Sequence, residues 1–292
     1  MRNEYFIDAV NSIIGKNVTI AVENPGYSRF RTLLNQTNTS TTAIELDHKG
    51  ISIDQLKQAQ PNAVIVTPSH QFPMGTIMPV SRRIDLLNWA SQTHSYVIED
   101  DYDSEFKYET DNIPSLFSFD KNDSVIYLGT FSKTLMPGLR MSYMILPSKL
   151  IKQFELQNDN MIPDFSMLNA LTLNLMIKEG HYEKYIKKMN QLYGKRRSLL
   201  IEHLENVFKD DIQIKDTRAG LHFIIEVTSP YTYTEIETRA KAQKLELYTI
   251  KRFSVKTFQK NEAVKILIIG FSKIEQSQIP EAVNRLKQVL SN

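Results

Sequence analysis

Lys133 closes the run Val125-Ile-Tyr-Leu-Gly-Thr-Phe-Ser-Lys133, where an apolar stretch stops at a small, hydroxyl-bearing turn; Arg140 follows seven residues later. A lysine attacks a carbonyl only as the neutral amine, so it works where it is partly desolvated or beside another cation. Thr130, Ser132 and Arg140 supply two hydroxyls and a guanidinium, a donor set suited to a phosphate dianion. About thirty residues upstream a second apolar run, Tyr96-Val-Ile, enters Glu99-Asp-Asp-Tyr-Asp103. A carboxylate at that strand end can pair with a protonated ring nitrogen. Asp100 is the first choice, and Asp101 stays open because sequence does not set the strand register. Tyr102 can donate to a phenolic oxygen and lower the pKa of an imine. Taken singly, each of these is an ordinary turn, surface or core residue. Together they describe a pocket for pyridoxal 5'-phosphate (PLP), a cofactor that acts as an electron sink while the protein holds and tunes it. The rival use of the acidic run, a metal site, has no histidine at useful spacing, and no metal is expected.

The elements that must position these residues read as follows. Residues 18–22, 63–67, 96–99, 125–128 and 141–146 are predicted strands, and 27–35, 52–60 and 81–94 predicted helices. Strand–helix alternation with near-continuous apolar strands predicts an α/β domain whose sheet is mainly parallel and covered on both faces. The strand at 141–146 follows the lysine turn too closely for a crossover helix and is expected to run antiparallel. An opening helix is predicted at 5–14. Residues 161–209 read as helical with a break near Gly180. Strands at 212–214, 221–227 and 265–271, with helices at 234–244 and 280–290, predict a smaller α+β unit. We therefore expect a large domain over 1–180 and a small C-terminal domain over 181–292.

Composition narrows the function classes. The chain has no cysteine, which excludes disulfides and thiolate metal sites and fits a reducing cytoplasm. No apolar run approaches the roughly 20 residues of a membrane span, and a net charge of +2 carries no nucleic-acid footprint. Lys184, Lys187, Lys188, Lys195, Arg196 and Arg197 are read as the solvated face of a long amphipathic helix.

Four strings then carry a resemblance: Val22-Glu-Asn-Pro-Gly-Tyr27, Thr67-Pro-Ser-His-Gln-Phe-Pro-Met-Gly75, Ile98-Glu-Asp-Asp-Tyr-Asp-Ser-Glu-Phe106 and Gly129-Thr-Phe-Ser-Lys133. In this order they resemble the aminotransferase-like, fold type I PLP domain of MocR-type regulators in the GntR superfamily. The likeness is strong over 18–147 and one of layout beyond. It implies that Lys133 forms the internal aldimine, that Asp100 pairs with the pyridinium and that Tyr102 contacts the phenolic oxygen. It also implies Thr130, Ser132 and Arg140 near the phosphate and Tyr27 in the cofactor pocket. Arg29 and Arg252, candidates by residue type for a ligand carboxylate, match the arginines that grip the effector in that family.

The resemblance implies a PLP-binding, effector-sensing domain that forms an aldimine with an amino-acid-like compound, acts as a homodimer and stays clear of membranes. DNA contact is expected only through a winged helix-turn-helix absent from this sequence, as is the family's phosphate-binding turn. A working aminotransferase is the second reading, and a partly folded remnant the third. Two departures argue for little turnover. Ile268 stands before Ile269-Gly-Phe-Ser272 where aminotransferases place an arginine, and Phe72-Pro-Met-Gly75 replaces their Asn-Pro-x-Gly.

Overall fold

The computed structural model describes residues 15, 18–108, 114–158, 166–216, 218–255 and 263–291. The predicted helix at 5–14 lies outside them. The chain divides into two compact units. One holds the described residues up to 72, Thr76–Glu105 and those of 111–184; the other holds Pro73–Gly75, those of 106–110 and those of 185–292.

The first unit is built on a seven-stranded sheet. Its strands are β1 (Thr19–Asn24), β2 (Ser40–Asp47), β3 (Gly50–Ile51), β4 (Ala63–Val66), β5 (Tyr96–Asp101), β6 (Val125–Thr130) and β7 (Ser142–Ile145), in the order β3-β2-β1-β4-β5-β6-β7. β2, β1, β4, β5 and β6 are parallel; β3 and, as expected from the short connection, β7 are antiparallel additions. Alternation along each strand sends side chains to two cores. Ile20, Val22, Ile65, Ile98, Ile126 and Leu128 meet Phe30, Leu33 and Leu34 of α1 (Ser28–Gln36) on one face. Ala21, Val64, Val66, Val97 and Val125 meet Leu56 of α2 (Ile53–Ala59) and Leu86, Trp89 and Ala90 of α3 (Val80–Thr93) on the other. Both helices end on left-handed residues, Gln60 and His94.

One guanidinium ties this unit together. Arg83 of α3 is fully buried and donates to three backbone carbonyls, Met78 at 2.9 Å, Pro114 at 2.9 Å and Pro68 at 2.8 Å. Its charge lies 4.0 Å from buried Glu99. Glu99 in turn accepts the amides of Leu116 and Phe117, which open the one-turn helix α4 (Leu116–Phe119).

After a second one-turn helix, α5 (Phe131–Thr134), come α6 (Ser148–Asn158) and α7 (Met167–Lys178). Gly180, at φ 71°, breaks the chain before the 28-residue α8 (His181–Phe208), as the sequence predicted near that glycine.

The second unit is a four-stranded antiparallel sheet in the order β10-β11-β9-β8, formed by β8 (Ile212–Lys215), β9 (His222–Thr228), β10 (Tyr248–Thr249) and β11 (Val264–Gly270). Leu200, Leu204 and Phe208 of α8 enter its core with Ile236 and Ala240 of α9 (Tyr233–Ala242) and Val283, Leu286 and Val289 of α10 (Ile279–Leu290).

The basic run on α8 divides in two. Lys184, Lys187, Lys188 and Lys195 are exposed as expected, but Arg196 and Arg197 are buried. Arg197 forks onto Asp216, while Arg196 donates to the Ser272 carbonyl and to Glu275. A guanidinium tolerates that burial where its planar fork meets oxygen acceptors, as both terminal nitrogens of Arg196 do. β2, β3, β10 and α6 had no sequence reading.

Candidate functional site

Because β1, β4, β5 and β6 are parallel neighbours, their carboxyl ends emerge along one edge of the sheet. The order reverses between β1 and β4, and such switch points are where open α/β sheets bind ligands. Every site residue expected from the first unit lies in the segments that leave this edge.

β5 settles where its acids point. Asp100 pairs in register with Leu128 and Asp101 with Gly129. By alternation Asp100 shares the face of Ile98, Ile126 and Leu128, and Thr130, two residues past Leu128, lies on that same face. Asp101 points the other way and is engaged there, accepting from the Tyr127 hydroxyl at 2.6 Å and from Ser104 at 2.7 Å. Asp100 is half-buried. Glu99, on the Asp101 face, is pushed up to about 7 by burial, against the pull of the two amides it accepts. Glu99 and Asp101 therefore have separate partners.

The lysine turn is built by Thr130. Its extended backbone caps α5, and its buried hydroxyl accepts the Ser132 amide at 3.1 Å. The Ser132 hydroxyl is buried and meets no partner among the described residues. A buried hydroxyl without a partner is costly unless a ligand completes it. Thr134 is the buried residue of this turn, and Lys133 is exposed beside it. The partial desolvation expected of Lys133 is thus not found, because the single turn points Thr134 inward in its place. Arg140 takes a left-handed conformation, φ 53°, after the 3-10 turn Pro137–Leu139; it is exposed, with no partner among the described residues. Gly129 is required here: a Cβ would lie 2.1 Å from the Tyr143 ring of β7.

Tyr102 follows β5 and is half-buried. Its hydroxyl donates to the His70 carbonyl at 2.9 Å and lies 3.2 Å from His70 Nδ1. Burial first, then the charges of Asp103, Asp100, Glu23 and Asp101, push this phenol well above its usual range, so it stays protonated. Tyr27, at the start of α1, packs edge-on against Phe72 at 5.7 Å, and Phe72 packs edge-on against Tyr102 at 6.2 Å.

The sequence reading missed Glu23, His70 and Gln71. Glu23 is the penultimate residue of β1, and one of its oxygens accepts from the Thr67 amide and hydroxyl at 3.3 and 2.8 Å and from Gln71 at 3.0 Å. Its other oxygen is buried without a partner among the described residues, and burial pushes the carboxyl up to about 7, with Asp100 adding to the rise. The signal was present: one acid directly after the apolar run Ile20-Ala-Val22. Of the arginines expected at a ligand carboxylate, Arg29 is exposed on α1. Arg252 is exposed in the second unit and lies 4.8 Å over the Tyr248 ring.

The residues of the first unit fit the cofactor they imply. Ser132 offers an incomplete hydroxyl, Arg140 a guanidinium, and Asp100 a carboxylate on the face of Thr130. Relatives point the same way. The uncharacterized HTH-type transcriptional regulator YdeL of Bacillus subtilis (strain 168) is 37% identical over 285 residues, covering 98% of this chain and 61% of the regulator. The probable rhizopine catabolism regulatory protein MocR of Rhizobium meliloti is 26% identical, over 91% of this chain and 53% of its own. The chain thus spans little more than half the length of these regulators. Aromatic-amino-acid aminotransferase 1 of Thermococcus litoralis is 25% identical over 281 residues, 93% of this chain and 66% of the enzyme. In three dimensions the multiple substrate aminotransferase of Thermococcus profundus superposes with a TM-score of 0.85 at 23% identity, over 99% of this chain and 73% of that one. That likeness identifies the fold as the fold type I α/β architecture of PLP-dependent aminotransferases. The aminotransferase class I and II family matches residues 6–286, and this chain belongs to that family.

Proposed function

We propose that this chain is a PLP-holding, effector-sensing domain of a transcriptional regulator. The observation that carries the reading is the turn after β6, where the buried Ser132 hydroxyl, near Thr130, Lys133 and Arg140 in sequence, meets no partner among the described residues. In this reading Thr130, Ser132 and Arg140 hold the phosphate, Lys133 attaches the cofactor and Asp100 pairs with the ring nitrogen. Tyr102 donates to the phenolic oxygen, and Tyr27 lines the pocket through Phe72. PLP, when bound, supplies an electron sink for an amino compound. The ligand is amino-acid-like: its amine competes for the place of Lys133, and Arg29 and Arg252 are the groups for its carboxylate.

Residues 1–180 serve as the cofactor-holding domain and 181–292 as the smaller one. The protein works in the cytoplasm as a homodimer, and DNA is reached through a winged helix-turn-helix outside this sequence. The identity to YdeL and MocR supports this assignment. Among the described residues no helix is long and apolar enough to cross a membrane. Kinship with the Thermococcus aromatic-amino-acid aminotransferase favours a second reading, a catalytic aminotransferase.

One titration separates the two. Absorbance is recorded on purified protein with PLP, then with a panel of amino acids and with amines lacking a carboxylate. A sensor changes its spectrum with amino acids, saturates and stops. Interconversion of amino and keto acids at ordinary enzymatic rates, on the order of 1–10³ per second, supports the enzyme. An unchanged PLP spectrum on mixing overturns both.

A further inference from the structure

β4 and β5 are adjacent and parallel, so the loops that follow them leave the sheet side by side. The first carries His70, the second Tyr102 and Asp103. His70 and Asp103 are 2% and 1% exposed, and His70 Nδ1 lies 3.1 Å from Asp103 Oδ2. A buried carboxylate can only accept, so Nδ1 carries the hydrogen. The same Nδ1 is 3.2 Å from the Tyr102 hydroxyl oxygen, and that hydroxyl is 2.9 Å from the His70 carbonyl. A phenol has one proton and a carbonyl only accepts. The phenol therefore donates to the carbonyl, while the imidazole N–H is shared between Asp103 and the phenol oxygen.

Two contacts from one residue fix where the Tyr102 hydroxyl lies. Donation into its oxygen also makes the phenol a stronger donor in turn. A His–Asp pair that merely joined two loops would need only the 3.1 Å contact. Asp103, Asp100, Glu23 and Asp101 all push the Tyr102 phenol upward, and His70 supplies a nitrogen donor to its oxygen.

We propose that His70, held by Asp103, is the positioning residue for the Tyr102 hydroxyl: its Nδ1–H keeps the phenol oxygen in place while the phenol turns its one proton from the His70 carbonyl to the phenolic oxygen of bound PLP, and so sets how strongly Tyr102 donates there. This rests on the cofactor reading above.

The test is a pH titration of the visible band of lysine-bound PLP in the 292-residue chain, with melting temperature measured beside it. Tyr102→Phe raises the midpoint, and His70→Phe is expected to raise it in the same direction by roughly 0.5–1 pH unit, a three- to tenfold change in proton affinity. His70→Asn, which keeps an N–H donor near the Nδ1 position, returns the midpoint towards the native value. The double variant Tyr102→Phe/His70→Phe shifts no further than Tyr102→Phe alone. A His70→Phe protein that melts earlier with an unmoved midpoint, or a double variant with summed shifts, overturns the proposal. A second arm needs no cofactor. Nitrogen-15 NMR of the PLP-free protein at about pH 8 should show the hydrogen of His70 on Nδ1, an arrangement lost in Asp103→Asn. An Nε2–H tautomer overturns the pair. Failure of the native protein to take up PLP instead removes the functional reading, and the NMR arm still decides the His70–Asp103 geometry.

Discussion

Lys133 lies on the exposed side of a one-turn helix whose buried residue is Thr134. Lys133→Ala removes no core contact, so it should fold normally and lose only the covalent hold on PLP. The expected result is no visible band and no adduct after borohydride reduction; an adduct recovered from the variant assigns attachment to another lysine. Asp100 and Asp101 face opposite sides of the sheet. Asp101 has Tyr127 and Ser104, whereas Asp100 lies on the face of Thr130. Asp100→Asn is therefore expected to weaken PLP binding by about 1.5–3 kcal/mol, the worth of a hydrogen bond to a charged group. A larger loss in Asp101→Asn, measured by equilibrium titration, reverses the assignment. The lysine turn was legible because its residues are contiguous. Glu23 was not, since its partners Thr67 and Gln71 stand 44 and 48 residues away, and only the β1–β4 pairing brings them together.

Among the elements, those with unbroken apolar runs were read to within a residue or two, as in β4, β5 and α3. β2 was missed because Ser40-Thr-Thr-Ala-Ile-Glu-Leu-Asp47 buries only Ile44, so its identity as a strand comes from pairing with β1 and not from its own pattern. Two strands carry buried acids with a measurable consequence. Glu23 near the end of β1 and Glu99 within β5 are both raised from 4.5 to about 7 by burial. At low pH folded and unfolded chains both hold these protons. As pH rises above about 4.5 the unfolded chain releases them first, so stability falls until the folded carboxyls also ionise near 7. Each group contributes on the order of 3 kcal/mol to that decline. Glu23→Gln should flatten the slope of unfolding free energy against pH over this window, measured by urea denaturation. An unaltered slope places the Glu23 carboxyl in a far more polar setting.

At the scale of the whole molecule, α7 stands out. Its sequence is apolar around the circumference, yet Met167, Leu168, Leu171, Leu175 and Ile177 are exposed, and Leu173 is its one buried residue. Helices of that composition are ordinarily covered, and a closed two-fold dimer is the commonest way to cover surface. Light scattering at micromolar concentration should give twice the monomer mass; a monomer with PLP bound removes the homodimer from the reading. Arg83 has a different consequence, one of timing. Its three carbonyl partners come from Pro68, Met78 and Pro114, and all three are in place only after β4, α3 and the chain beyond β5 have assembled. Until then the guanidinium keeps its water, so its bonds form late on the folding route. Arg83→Met should therefore act on one arm of the chevron: unfolding faster by about tenfold or more, refolding within about twofold of the native rate. The Arg83 bonds would then act as a latch that governs how long the native state lasts once formed, and hardly at all how fast it is reached.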